Sequence, residues 1–344
     1  FKPGGKILKN ILDGNYAGDL FVVNPRREIV QGVRSYMDIR DIPEPDLAII
    51  AISAKYCYET VDILAREKNT KAFIIISAGF SEAGEEGRKL EERIAGLISS
   101  TGGTLIGPNC IGVVTSAYHG VFTTPVPKLS VNGCDFVSAS GSTALFIIES
   151  AIPKGLCFSS VFSVGNCAQT GVEEILEYWD LTYEPGKSSP VKLIYVENIP
   201  NPDKFLHHAS SLIHKGCRIA AIKAGTTEAG SRAAFSHTGA LASSDSAVQA
   251  LFRKAGIVRC FGREELTTVA SVFMHNPLKG RNIAIITHAG GPAVMLTDAL
   301  VAGGMNIPEL NETEQNELLS MMNPGASAVN PVDMIATATN EQLD

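Results

Sequence analysis

Strand-sized runs of continuous apolar residues recur along this chain, and helix-like segments separate them. In the first third, the runs are residues 19–25, 47–53, 72–80 and 103–109. Helical patterns near 56–68 and 85–100 lie between them. Because strands without polar alternation are buried on both faces, the pattern predicts a parallel sheet covered by helices. We therefore expect a doubly wound α/β domain over residues 1–125.

The same alternation returns after a proline-containing connection at 123–133. The strand-like stretches FVSAS, FSSVFSV, VKLIYVE and CRIAAIK follow one another, and they predict a second α/β domain over residues 126–276. A third strand, glycine turn and helix begin in RNIAIITHAGGPAVMLTDAL. Residues 277–344 are too few to complete another α/β domain, so we expect this last unit to be truncated or to need a partner.

Composition limits the kinds of function that such a chain can have. The 344 residues are 45% hydrophobic and carry a net charge of −7, which predicts folded domains and, without a Lys/Arg run, argues against nucleic-acid or anionic-membrane partners. The apolar runs are too short to span a bilayer. The seven cysteines show no C-x-x-C spacing, which favours reduced thiols in a cytoplasmic protein over a disulfide framework or a metal site.

Two glycine-containing turns in the second domain are suited to anion binding. Residues 138–143 (SASGST) and 163–171 (SVGNCAQTG) each connect a strand to a helix. Such a turn points unpaired N–H groups and the positive end of the helix at the carboxyl edge of the sheet. Similar turns are common in α/β proteins, so either alone is weak evidence. Two in one domain predict a phosphate pocket.

One histidine of that domain lies in an unusual context. His237 is embedded in AAFSHTGALASSDSA, residues 233–247, where small side chains predict a mobile arm that could carry a group between two places. Glu197 ends the strand VKLIYVE and would set the imidazole tautomer and raise the nucleophilicity of the other ring nitrogen. The alternatives are an ordinary loop histidine and a strand-end carboxylate facing water.

Seven ordered motifs resemble the NDP-forming acyl-CoA synthetases, which include the α subunits of ADP-forming acetyl-CoA synthetase and, more distantly, of succinyl-CoA synthetase. The motifs are VVNP (22–25), ISAGFSEAGEEG (76–87), IGPNCIG (106–112), FVSASGSTA (136–144), SVGN (163–166), AAFSHTGALA (233–242) and AGGPAVMLTDAL (289–300). The resemblance is collinear over essentially the whole chain. It implies a Rossmann-like CoA-binding domain followed by flavodoxin-like α/β domains with parallel sheets.

The resemblance also implies roles for individual residues. His237 would be transiently phosphorylated, with Glu197 holding its imidazole. The phosphoryl group would be held at the helix starts by Ser140, Gly141, Ser142, Gly165 and Asn166. CoA would be bound by Asn24, Pro25, Ser53, Ala78, Gly79, Pro108 and Asn109, with Gly4 and Gly5 standing where the family has its glycine turn for the CoA diphosphate.

The implied reaction is acid + CoA + ATP ⇌ acyl-CoA + ADP + phosphate, through an acyl phosphate and the phosphohistidine. No Walker A motif or ATP-grasp domain is recognisable in the sequence, so ATP or ADP with Mg²⁺ is expected on an ATP-grasp β subunit or C-terminal domain. An oligomeric assembly is expected as well. The identity of the acid stays open.

Some features depart from this interpretation or compete with it. Gln169 and Thr170 stand where the family has an acidic residue after S-V-G-N-x-x, which leaves the local pocket open. The main alternative function is a non-catalytic CoA sensor or scaffold of the same fold. A nicotinamide-dependent oxidoreductase is less favoured because no G-x-G-x-x-G fingerprint is present.

Four further side chains are of types that often have functional roles, but the sequence around them does not support such a role. Cys110 is expected only to fill a tight turn, because no base is indicated nearby. His207, His208 and His214 are expected on the solvated face of a helix rather than in a metal site.

Overall fold

The computed structural model describes residues 2–124, 126–232 and 244–343. Contacts divide the chain into two compact units, Phe1–His275 and Asn276–Asp344. The helices of the first unit are α1 (Pro3–Asp13), α2 (Ala54–Arg66), α3 (Glu85–Ser100), α4 (Gly141–Ala151), α5 (Val172–Leu181), α6 (Pro202–His214), α7 (Asp245–Ala255) and α8 (Arg263–Met274). Its strands are β1 (Val22–Val23), β2 (Ile29–Val30), β3 (Val33–Tyr36), β4 (Leu47–Ile50), β5 (Ala72–Ile75), β6 (Thr104–Ile106), β7 (Gly112–Thr115), β8 (Tyr118–Val121), β9 (Leu129–Ser138), β10 (Phe158–Ser163), β11 (Val191–Val196), β12 (Arg218–Lys223) and β13 (Val258–Cys260).

The first part of this unit is built on the parallel sheet β4–β5–β6. The apolar strand residues pack with α2 and α3 into one cluster that includes Val61, Phe73, Ile94 and Leu105. A smaller sheet, β1–β3–β2, precedes it. Because β4, β5 and β6 run in one direction, the loops that follow them emerge at a common edge.

A seven-stranded sheet forms the second part, in the order β13–β12–β11–β9–β10–β7–β8. The strands from β13 to β10 are parallel, whereas β7 runs antiparallel to β10 and β8 antiparallel to β7. One face is covered by α5, α6 and α7, and the other by α4 and α8. The expected fold class, α/β domains with parallel sheets, is confirmed.

The hairpin formed by β7 and β8 was not foreseen. Its sequence lies within the segment predicted as the first domain, but its hydrogen bonds place it at the edge of the larger sheet. Asn10 of α1 donates from Nδ2 to the carbonyls of Val121 and Thr123, at 2.6 and 2.9 Å. These contacts hold α1 against the end of the hairpin. The domain bounds of 1–125 and 126–276 remain a prediction.

Helix α6 carries the three histidines expected on a solvated face, and for His208 that expectation is wrong. His207 and His214 are exposed, whereas His208 is buried and its Nδ1 lies 2.9 Å from Oδ2 of Asp180 on α5. Lys215 also contacts Asp180, with 2.7 Å between Nζ and Oδ1. The side chains of His208 and Asp180 are buried because α6 packs between α5 and α7. Burial lowers the solvation of Asp180, but its hydrogen bonds to Lys215 and His208 hold its pKa below the usual value.

The second unit contains the helices α9 (Gly290–Ala302), α10 (Glu312–Met321) and α11 (Asn340–Leu343) and the parallel strands β14 (Ile286–Thr287) and β15 (Val332–Asp333). It begins with the strand, glycine turn and helix that the sequence predicts. No helix in the described ranges of either unit is long and apolar enough to cross a membrane.

The packing of the first unit predicts a large effect of one ring. Phe205 is fully buried and stacks on Phe252, with 5.9 Å between ring centroids. Replacing it with alanine should lower the free energy of unfolding by about 3–5 kcal/mol, because the ring leaves a cavity. Denaturant unfolding followed through the fluorescence of Trp179, the single tryptophan, measures the change.

Leu181→Ala is the matched control for that substitution. This side chain is 74% exposed at the end of α5, so its loss should change the free energy by no more than about 0.5 kcal/mol. Equal effects of Phe205→Ala and Leu181→Ala would contradict the packing described here.

Candidate functional site

Most of the residues predicted to bind CoA follow the carboxyl ends of strands in the first part of the chain. Their positions are as follows: Asn24 and Pro25 after β1, Ser53 before α2, Ala78 and Gly79 after β5, and Pro108 and Asn109 after β6. Gly4 and Gly5 are in the first turn of α1. A Cβ on Gly4 would lie 3.3 Å from Cβ of Ala51, so the start of α1 lies against the end of β4. Most of these residues therefore share one sheet edge.

A cavity of about 240 Å³ lies beside this edge. Its lining residues are Ile76, Asn109, Cys110, Ile111, Phe122, Ala139, Ser140, Gly141, Ser142, Gly165 and Asn166. All five predicted phosphate-binding residues are among them, together with Asn109 from the predicted CoA-binding set. The structure thus brings the two glycine turns of the second sheet to one place, next to the end of β6.

The start of α4 supplies the donors of this cavity. Ser140 is the N-cap, and its Oγ accepts a hydrogen bond from the N–H of Thr143 at 3.3 Å. The N–H groups of Gly141 and Ser142 belong to the first turn and have no carbonyl partner within the helix. A Cβ at 141 would approach Cγ2 of Ile111 to 2.7 Å, so any larger residue would require the Ile111 side chain to shift. The arrangement is suited to a small anion.

The second glycine turn is pressed against the turn after β6. Gly165 has φ +56°, and a Cβ at this position would lie 2.2 Å from the carbonyl oxygen of Pro108. The N–H of Asn166 donates to the same oxygen at 3.0 Å. Asn109 also has a positive φ, +57°, and its Nδ2 donates to Oδ1 of Asn166 at 3.2 Å. The two turns form one wall of the cavity.

Asn166 faces three acceptors on its other side. Its Nδ2 lies 3.0 Å from Oγ of Ser81, 2.6 Å from Oε2 of Glu82 and 2.8 Å from Oε2 of Glu91. Since its backbone N–H is also in use, the donors of Asn166 are committed to protein acceptors. In this arrangement Asn166 shapes the cavity, and the free donors come from the start of α4.

Glu82 accepts hydrogen bonds through both of its carboxylate oxygens. Oε1 receives the N–H groups of Gly79 and Phe80, at 2.5 and 3.2 Å, while Oε2 receives Asn166. Burial alone would raise the pKa of Glu82, but these hydrogen bonds, led by the one from Asn166, lower it. Sequence reasoning missed Glu82 and Glu91, although both follow β5 and Glu82 lies inside a quoted motif.

Of the catalytic pair predicted from the sequence, the structure describes Glu197 but not His237. Glu197 follows β11 at the same edge of the larger sheet, and its Oε1 accepts a hydrogen bond from the hydroxyl of Tyr195 at 3.2 Å. Burial and this carboxylate raise the pKa of Tyr195 to about 12. His237 lies outside the described residues. The pairing of His237 with Glu197 therefore stays a prediction.

Two further expectations concern residues near the cavity. Cys110 is buried and its Sγ lies 3.4 Å from the carbonyl oxygen of Ile75; burial raises its thiol pKa to about 12, which fits a packing role. Gln169 turns toward the first sheet, where its side chain contacts the N–H of Leu105 and, at 2.9 Å, Oγ of Ser99. Gln169 therefore contacts the first sheet and is not among the residues that line the cavity.

No cluster of three or more metal-ligating side chains occurs among the residues that the structure describes. The fold and the cavity together define a class of protein: an α/β protein with a Rossmann-like domain and, beside it, a cavity at the start of a helix.

Comparisons with known proteins make this class specific. A CoA binding domain model matches residues 1–116, and the model of a succinyl-CoA ligase like flavodoxin domain matches residues 132–273. The α subunit of acetate–CoA ligase [ADP-forming] II of Pyrococcus furiosus is 36% identical over 343 residues, which are 99% of this chain and 73% of that protein. Acetate–CoA ligase [ADP-forming] I of Archaeoglobus fulgidus is 34% identical over 99% of this chain, which spans 49% of that longer relative.

A solved structure agrees with these relatives. Acetyl-coenzyme A synthetase 1 of Ca. Korarchaeum cryptofilum, in complex with phosphate and ADP, superposes with a TM-score of 0.83 at 29% identity, covering 98% of this chain and 72% of that one. The chain belongs to the NDP-forming acyl-CoA synthetase family and corresponds to its α-type part. The expected resemblance is confirmed, and the relatives favour a ligase over a non-catalytic sensor.

The contact between the two turns generates a prediction about Gly165. Gly165→Ala should lower the free energy of unfolding by more than about 1 kcal/mol, because the methyl group meets a backbone oxygen and the positive φ disfavours alanine. Thermal or denaturant unfolding measures this. The control is Gly96→Ala within α3, where a Cβ meets nothing within 4 Å. This substitution should stabilise the helix by about 0.5–1 kcal/mol. A Gly165→Ala protein at least as stable as the wild type would contradict the contact between the two turns.

Proposed function

We propose that this chain supplies the CoA-binding and phosphoryl-transfer part of an enzyme that catalyses acid + CoA + ATP ⇌ acyl-CoA + ADP + phosphate. The observation that carries the proposal is the cavity at the start of α4, which lies beside the strand ends that hold the predicted CoA-binding residues. A thioester carbonyl and a phosphate ion would meet at this position.

The first step is the attack of a phosphate oxygen on the thioester carbonyl. The C–S bond breaks, CoA leaves as a thiolate that takes up a proton, and an acyl phosphate remains. Negative charge is present on the phosphoryl oxygens throughout, and the N–H groups of Gly141 and Ser142 with the positive end of α4 stabilise it. Ser140 fixes this helix start through its N-cap hydrogen bond.

The second step transfers the phosphoryl group to His237. An imidazole nitrogen attacks phosphorus, the P–O bond to the acyl group breaks, and the carboxylic acid leaves as its anion. Glu197 would hold the other ring nitrogen and so keep the attacking nitrogen unprotonated. The phosphohistidine then gives its phosphoryl group to ADP, forming ATP and regenerating the free imidazole.

The nucleotide would be bound by an ATP-grasp β subunit or domain. The relative from Pyrococcus furiosus is itself an α subunit, while the one from Archaeoglobus fulgidus is about twice as long as the part that this chain matches. Mg²⁺ would enter with the nucleotide and neutralise charge on its phosphates. A small organic acid and its acyl-CoA are the other substrates, and we expect the assembly to be oligomeric and cytoplasmic.

The phosphohistidine can be tested with this chain alone. The protein is incubated with inorganic phosphate and a panel of acyl-CoAs at neutral pH, and intact mass spectrometry is used to find one added phosphoryl group. We expect the wild type to gain the group with at least one acyl-CoA, because this half-reaction needs no nucleotide. The most effective acyl-CoA identifies the class of acid.

Two variants give the experiment its controls. His237→Ala should gain no phosphoryl group, whereas His207→Ala, an exposed histidine on α6, should react like the wild type. Phosphorylation of the His237→Ala protein would disprove the assignment. If the wild type binds CoA but is not phosphorylated even with an ATP-grasp partner present, the chain is a CoA sensor and not a ligase component.

A further inference from the structure

The carboxylate of Glu82 connects the two halves of the proposed site. Its Oε1 holds the N–H of Gly79, in the loop after β5 that is predicted to bind CoA. Its Oε2 accepts a hydrogen bond from the amide of Asn166, in the turn that lines the cavity. A single side chain thus contacts the backbone of the loop on one side and the cavity wall on the other.

The chain of hydrogen bonds continues from Glu82 to the cavity surface. With its Nδ2 drawn to Glu82 and Glu91, Asn166 presents Oδ1 to Nδ2 of Asn109. Ionised carboxylates only accept hydrogen bonds, so they fix which end of the Asn166 amide faces Asn109. The orientation of both amides at the cavity depends on acceptors that lie behind them.

We propose that Glu82 is a positioning residue that couples the binding of CoA to the binding of phosphate. The inference rests on the proposed function, since it takes Gly79 as part of the CoA site and the cavity as the phosphate site. A ligand that holds the loop at Gly79 in the arrangement seen here also favours the arrangement of Asn166 and Asn109, and the reverse holds by linkage. The coupling is therefore positive.

The geometry provides a sharp substitution. Both oxygens of Glu82 accept from N–H donors, whereas a glutamine amide offers one acceptor and one donor group. In Glu82→Gln, the NH₂ group takes the place of one of the two oxygens. In one orientation it faces the N–H donors of Gly79 and Phe80, and in the other it faces the amide donor of Asn166. The connection is broken on one side with almost no change in side-chain volume.

Glu91 offers a matched control on the neighbouring helix. Its contacts to Ser81 and Asn166 all use Oε2, so the oxygen of a glutamine amide can replace that atom. Glu91→Gln removes the same charge at nearly the same place but keeps these hydrogen bonds. A difference between the two variants therefore reports the hydrogen-bond pattern and not the loss of a negative charge near the cavity.

The experiment is calorimetric titration of the full chain with CoA, with and without a saturating concentration of inorganic phosphate. We expect phosphate to tighten CoA binding by about 5-fold or more in the wild type and in Glu91→Gln, a usual size for coupling between sites. In Glu82→Gln the ratio of the two Kd values should fall to within about 2-fold of unity, while CoA still binds.

Asn166→Ala tests the same connection from the other side, because it removes the amide but leaves the contacts of Glu82 to Gly79 and Phe80. It should also lose the coupling, and it serves as the test if Glu82→Gln does not fold, as judged by its melting temperature. Coupling that persists in either variant would overturn the inference.

The wild type alone separates this inference from the proposed function. If CoA binds with the same Kd at any phosphate concentration, the coupling role of Glu82 is wrong and the proposed function stands. If the wild type binds no CoA, the proposed function fails, and the inference fails with it.

Discussion

The contact between the turn after β6 and the turn after β10 is the constraint on which the rest of the site depends. Gly165 packs against the carbonyl of Pro108, and Asn166 hydrogen-bonds to that carbonyl and to the side chain of Asn109. A side chain at 165 would force the turns apart. Because each turn ends a strand of a different sheet, this contact brings the edges of the two sheets together and forms the cavity between them.

The cavity combines two opposite electrostatic requirements. An anion is favoured by the first turn of α4, yet Glu82 and Glu91 lie immediately behind the wall formed by Asn166. The amide of Asn166 stands between the carboxylates and the cavity and uses its donors on the carboxylates. Hydrogen bonds thus stabilise these carboxylates, and they lower the pKa of Glu82 despite its partial burial. The carboxylates in turn orient the neutral amide groups at the surface of the pocket.

Part of this arrangement followed from sequence patterns that have simple physical causes. Apolar strands such as VKLIYV, with every residue buried, predicted a parallel sheet covered on both faces. The helix expected from the turn at 138–143 begins at Gly141 in the structure. The two turns that line the cavity were singled out because a glycine turn between a strand and a helix points unpaired N–H groups at the carboxyl edge of the sheet. The family resemblance named the same residues independently, and the relatives confirm the family.

What the sequence by itself determined was local: the strands, the helix starts, the glycine turns and the motif order that defines the family. What only the tertiary structure decided was the pairing of distant residues, such as Glu82 with Asn166, the β7–β8 hairpin with β10, and His208 with Asp180. The reason is that a hydrophobic period records which face of an element is buried, whereas a hydrogen bond between residues 84 positions apart depends on how two sheets meet.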